Sequence, residues 1–152
     1  MAATEGYRHT QIGAVTIGAV AAAVVLCAVL SVSAPETRPI ALIAGAVLAL
    51  TIPLFGWLTV TVDTRELAFR FGVGLVRRRY PIPDVRGCEV VKNPWTYGWG
   101  IHLTPRGWLY NVSGLGAVEI RLSGGKTFRL GSDEPEALCL ALRRAAGLTG
   151  RT

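Results

Sequence analysis

What most constrains this chain is the near absence of charge from its N-terminal part. No Asp, Glu, Lys or Arg lies between Arg8 and Glu36, and residues 12–34 are almost entirely Ala, Val, Ile, Leu, Gly, Ser and Thr. That run exceeds the roughly 20 residues an α-helix needs to cross about 30 Å of hydrocarbon. A second uncharged stretch lies between Arg38 and Asp63, most apolar over 39–57. At about 1.5 Å per residue it also spans, with little to spare.

Two other readings of these runs compete. A secretory signal would place an Arg before an apolar run ending in small residues, but the run is longer than the ~7 to 15 residues of a signal core, and a second span follows at once. A buried helical pair of a soluble protein would carry a polar face, which neither run has. Residues 35–39, Pro-Glu-Thr-Arg-Pro, suffice only for a tight hairpin, so both outer ends lie on one side of the bilayer. The chain therefore divides into a short N-terminal tail (1–11), a hairpin (12–57), a β domain (58–147) and a C-terminal tail (148–152).

Small residues recur every four positions in both spans: Ala14, Gly18 and Ala22 in the first, Ala41, Gly45 and Ala49 in the second. Such stripes let backbones approach closely. Packing of one span on the other is the plain reading, and a homodimer face is the alternative.

Past Pro53 and Gly56 the periodicity changes. Pro removes a backbone donor and Gly weakens a helix, so the second span ends there. Leu58, Val60 and Val62 then alternate with Thr59, Thr61 and Asp63, the period of a half-buried strand. Further strand candidates follow at 67–71, 76–82, 87–92, 100–103, 107–112, 117–122 and 126–130, separated by Gly- and Pro-rich turns. Regular spacing of this kind indicates antiparallel hairpins. At the end, Asp133 and Glu136 form a capping-box pattern, and Leu138, Ala141, Leu142 and Ala145 make one apolar helical stripe, giving a helix over 133–146.

The charge of +6 belongs wholly to this second part, which holds fourteen Lys and Arg against eight Asp and Glu from Asp63 onward. Under the positive-inside tendency it faces the cytoplasm. Cys27, Cys88 and Cys139 are far apart in sequence, a spacing that indicates neither a zinc site nor a disulfide framework. The basic balance also suits nucleic acid, yet no nucleic-acid motif accompanies it, so no such partner is expected.

Val62-Asp63-Thr64-Arg65-Glu66-Leu67, Gly72-Val73-Gly74 with the arginines after it, Tyr97-Gly98-Trp99-Gly100-Ile101, and Ser123-Gly124-Gly125-Lys126 leading to Asp133-Glu134-Pro135-Glu136 give residues 57–146 a wider likeness. The chain resembles bacterial pleckstrin-homology-like (PH-like) domain proteins, in particular small ones in which a two-helix transmembrane hairpin precedes the domain. The resemblance implies an α+β membrane protein of the bacterial cytoplasmic membrane, with both termini cytoplasmic. Its β domain would be a small antiparallel barrel or sandwich of seven or eight strands capped by the C-terminal amphipathic helix. Some relatives of this kind are thought to assemble into rings or to bind lipid or protein.

The orientation of the first strand locates a candidate site. If that strand starts at the membrane near Leu58, the second returns to it at Phe71, and the 72–75 turn meets the bilayer surface. Arg70, Arg77, Arg78 and Arg79 then lie within roughly 10 Å of the headgroups at about 3.3 Å per strand residue. Val73, Leu75, Trp95, Tyr97 and Trp99 would supply an interfacial rim. Membrane lipids are the expected partners, with a membrane protein or a second copy of the chain as the alternative. The competing reading is a solvated strand face with aromatics in core or turn packing. No catalytic constellation, metal site or cofactor is expected: His9 and His102 lie in no recognisable motif, and Gly72-Val73-Gly74 lacks a following helix N-terminus to hold phosphate.

Overall fold

The computed structural model describes residues 6–148. The outermost parts of the two expected tails, 1–5 and 149–152, lie outside the described residues.

Strand β1 (Tyr7–Ile12) leads through Gly13 into helix α1 (Ala14–Ser33), and a single 3-10 turn brings the chain into α2 (Arg38–Phe55). Arg38 closes this hairpin by donating from Nε to the Ser31 carbonyl at 2.9 Å, satisfying an acceptor left free at a helix C-terminus. Both helices are long and apolar enough to cross a membrane. Ala41 and Gly45 face α1, and a Cβ at Gly45 would lie 3.2 Å from that of Cys27, so the backbones approach closely there. The α1 stripe points elsewhere: Ala14, Gly18 and Ala22 are exposed, with nothing within 4 Å of Gly18, and Ala49 is exposed on α2. The more covered positions of α1 are instead Thr16, Ile17, Val20, Ala23, Val24 and Cys27, with Ser31 buried at its end.

Only Gly56 separates α2 from β2 (Trp57–Val62), which pairs antiparallel with β1 from Tyr7↔Val62 to Ile12↔Trp57. The two apolar helices are thus direct continuations of two neighbouring strands. Strands β3 (Glu66–Phe71) and β4 (Arg77–Pro81) complete a four-stranded sheet in the order β1-β2-β3-β4. Strands β5 (Val85–Lys92), β6 (Gly100–Thr104), β7 (Gly107–Asn111), β8 (Gly116–Leu122) and β9 (Thr127–Gly131) form a second sheet, ordered β5-β8-β9-β7-β6. Helix α3 (Pro135–Ala145) packs on β5 and β8. The core lies between the sheets, where Phe69 meets Tyr110 at 4.8 Å and Tyr80 stacks on Phe128 at 4.7 Å, with Leu138, Cys139 and Leu142 of α3 closing one corner.

Several expectations are corrected by this arrangement. Of the barrel and the sandwich, the closed barrel is not formed: the β domain is a pair of sheets whose edge strands β1, β4, β5 and β6 each pair on one side only among the described residues. Three consecutive exposed arginines on β4 explain one open edge, since charge on a strand discourages further pairing. Nine strands are present among the described residues, and the second sheet is mixed, because β9 inserts beside β7 in parallel. Backbone crowding accompanies that insertion: a Cβ at Gly131 would collide with the Asn111 side chain, and one at Gly107 with the Thr127 carbonyl. The unexpected strand is β1, read from sequence as tail. Within it Tyr7, His9 and Gln11 are the more covered and Arg8, Thr10 and Ile12 the exposed positions, a period-two pattern overshadowed by the apolar run after it. Asp133 does not cap α3; its Oδ1 sits 2.6 Å from His9 Nε2 while Glu134 accepts from the Tyr7 hydroxyl at 2.8 Å, tying β1 to the segment before the helix.

Candidate functional site: a basic face beside the helical hairpin

The register of the first sheet builds the site. Side chains alternate across it, and the outward-facing positions form rows. Ile12 and Trp57 make the row at the helices; Thr10, Thr59, Arg70 and Arg77 the next; Arg8, Thr61, Ala68 and Arg79 the third. These rows lie about 7 Å and 13 Å from the helix–strand junction at roughly 3.3 Å per residue. The resulting shallow depression is lined by Arg8, Arg70, Arg77, Arg78 and Arg79, with Thr59, Thr61 and the acidic Glu66 among them.

Little negative charge balances these arginines. Glu66 approaches Arg79 at 3.7 Å, and among the described residues Arg8, Arg70, Arg77 and Arg78 form no ion pair. Arg70 stands directly opposite Arg77, an arrangement that like charge makes unfavourable. Arg78 alternates with its neighbours along β4: it pairs with Phe69 and follows the register of Tyr80, yet it remains exposed and also lines the depression. The Tyr80 hydroxyl is pushed up by burial and by the neighbouring Tyr110, with Arg78 opposing the shift.

Arg8 belongs to this face and is absent from the sequence-based set. The alternation of Tyr7, Arg8, His9 and Thr10 is the signal that would have found it.

The turn after β3 packs under the end of α2. Gly72 N–H donates to the Trp57 carbonyl at 2.8 Å and Val73 N–H to the Pro53 carbonyl at 2.9 Å. Gly72 has φ +46, and a Cβ there would collide with the Pro53 carbonyl, so both conformation and space require glycine. The turn projects Val73 and Leu75 outward, 62% and 73% exposed.

On the second sheet, residues 93–100 start and finish at this same end. Asn93 N–H bonds the Leu115 carbonyl, Trp99 Nε1 bonds the Gly114 carbonyl at 3.1 Å, and Thr16 of α1 bonds the Val112 carbonyl at 3.1 Å. Trp95 is 80% exposed and Trp99 46%, while Tyr97 is partly covered. Ile12, Val73, Leu75, Trp95 and Trp99 therefore share the helix-proximal end as exposed apolar groups. Among the described residues no three His, Cys, Asp or Glu side chains converge to hold a metal.

At the opposite end, a groove of about 810 Å³ runs between α3 and the start of β1, lined by Tyr7, Val62, Asp63, Leu140, Ala141 and Arg144.

No protein-family model matches the chain, and no curated protein is significantly similar to it.

Proposed function

We propose that this protein is a non-enzymatic, PH-like module anchored in the bacterial cytoplasmic membrane by α1 and α2, and that the outer face of its first sheet contacts anionic lipid headgroups. The observation that carries this reading is the position of Arg70 and Arg77, opposed and without an ion pair among the described residues, two residues from the point where both apolar helices become strands. Helices that end at the bilayer surface bring this row to headgroup depth. Each arginine near an anionic surface contributes about 1 kcal/mol. Ile12, Val73, Leu75, Trp95 and Trp99 would then seat in the interface, where amphipathic rings and apolar turn residues are stabilised.

Sheet pairing supports retention of α1 as an anchor. Strand β1 precedes α1 and pairs along its whole length with β2, so cleaving α1 as a leader would remove a strand from the domain. The same pairing supports placing residues 7–12 and the β domain on one side, and the basic balance of the domain favours the cytoplasmic side.

Titrating phosphatidylglycerol or phosphatidylcholine into the detergent-solubilised full chain, read by native mass spectrometry, tests the headgroup contact. Phosphatidylglycerol should bind in preference, and Arg70→Ala/Arg77→Ala/Arg79→Ala should lower that preference by up to about a hundredfold, from roughly 1 kcal/mol per arginine. Equal binding of the two lipids by the unaltered chain would refute the reading.

The groove beside α3 supports a second reading, a protein-interaction or self-assembly surface, because it joins the apolar side chains of Tyr7, Val62 and Leu140 to the end of edge strand β1. In-membrane crosslinking from Leu140→Cys would yield a discrete partner or a ladder if that surface is occupied.

A further inference from the structure

Two thiols that lie 51 positions apart in sequence meet in the folded protein. Cys88 of β5 and Cys139 of α3 are both buried, 7% and 5% exposed, and their sulfurs stand 2.8 Å apart. That is well inside the roughly 3.5–4.0 Å at which non-bonded heavy atoms rest, and short of the ~2.05 Å of a disulfide. Their separation in sequence carried no sign of this juxtaposition.

From this geometry we infer that Cys88 and Cys139 form an oxidisable dithiol, which a peroxide converts to an intramolecular disulfide stapling α3 to β5. The small oxidant follows from burial, because a bulky disulfide such as oxidised glutathione cannot reach either sulfur in the native fold. One thiol is oxidised to a sulfenic acid with release of water. The other then attacks that sulfur, and its hydroxyl departs as water with the remaining thiol proton. In sum, two S–H bonds and the peroxide O–O bond break, while one S–S bond and two O–H bonds form. Two electrons pass from sulfur to the peroxide oxygens.

Geometry rather than thiol acidity directs the product. Burial pushes the Cys88 thiol up to about 12, so it stays protonated and slow to react with alkylating reagent and peroxide alike, and the adjacent sulfur captures whichever thiol of the pair is oxidised first. Arg143, on the next turn of α3, donates from Nη2 to the Cys88 carbonyl at 3.3 Å and fixes the helix over the strand. Cys27, distant in α1, serves as an internal control.

The test uses the full chain in isolated membranes, treated with graded hydrogen peroxide, denatured in N-ethylmaleimide and mapped by mass spectrometry without reduction. A Cys88–Cys139 linked peptide pair, about two hydrogens lighter and abolished by dithiothreitol, is expected at doses that leave Cys27 alkylatable. Amides of α3 should then exchange more slowly than in the reduced protein. In Cys139→Ser, Cys88 should be recovered only as monomeric alkylated or sulfenic forms. Separate sulfinic acids on the two cysteines, both thiols fully alkylated at doses that oxidise Cys27, or Cys88 joined to Cys27 would each overturn the inference. Unchanged exchange of α3 in the oxidised protein would overturn its role as a staple.

Discussion

Arg129 is one residue whose several bonds fix a distant surface. Its Nε and Nη2 both reach Glu119 Oε2, at 3.0 and 2.9 Å, and Nη1 donates to Asn93 Oδ1 at 2.9 Å. All three side chains are buried, and Asn93 opens the segment that presents Trp95 and Trp99. Arg129→Ala would strand a buried carboxylate and should destabilise the protein by about 3–5 kcal/mol in thermal or denaturant unfolding, whereas surface Arg121→Ala should change it by less than about 1 kcal/mol. Asp63 illustrates an exposed carboxylate that acts through its turn. Its Oδ1 accepts the Glu66 and Arg65 amides at 2.8 and 2.7 Å, which hold its pKa below the usual carboxylate range. The ionised form is therefore favoured by folding. Its contribution is complete above the unfolded-state value and disappears as pH falls through the lower folded value. The melting temperatures of the unaltered chain and Asp63→Ala should differ near neutrality and converge in acid; a gap that widens on acidification would contradict this sign. At this scale the sequence exposed Arg70, Arg77 and Arg79 because they flank a recognisable turn. Arg8 was hidden by its place before an apolar run. The meeting of Cys88 with Cys139 is tertiary, and no local pattern encodes it.

Among the elements, the junction of helices and strands is closely packed. Gly13 N–H donates to the Gly56 carbonyl at 2.8 Å, and a Cβ at Gly13 would stand 3.0 Å from the Val112 carbonyl. With Gly72 packed beneath α2, neither helix can pivot freely on its strand. Gly72→Val combines a positive φ with a backbone collision and should lower stability by about 1–3 kcal/mol or more, visible as a lower melting temperature; Gly124→Val, also at positive φ but open to space, should lower it less. Element existence was well encoded: every strand candidate from 58 to 130 is a strand in the structure, with the candidates at 100–103 and 107–112 forming the β6–β7 hairpin. The missing strand and the missing cap share a cause. His9, Asp133, Tyr7 and Glu134 spend their polar groups on contacts across more than a hundred residues, which local rules for tails and helix caps do not consider.

For the whole molecule, the expectation of a barrel or a sandwich resolves to two packed sheets, because topology depends on which edges stay open. The arginines of β4 and the insertion of β9 between β7 and β8 are consequences of packing and charge that strand periodicity does not contain. What sequence periodicity did contain was direction: an apolar helix running into a strand after Pro53 and Gly56 implies which end of the domain lies nearest the helices. Under the proposed function, this continuity holds the Arg70–Arg77 row and the rim of Val73 and Trp95 against lipid. Single nitroxide labels at positions 73, 95, 105 and 124 of the full chain, reconstituted in phosphatidylglycerol-containing bilayers, measure it directly through relaxation by lipid-soluble oxygen against an aqueous nickel chelate. The account predicts lipid-side accessibility at 73 and 95 and aqueous accessibility at 105 and 124. Aqueous accessibility at 73 and 95 equal to that at the distal turns would contradict it.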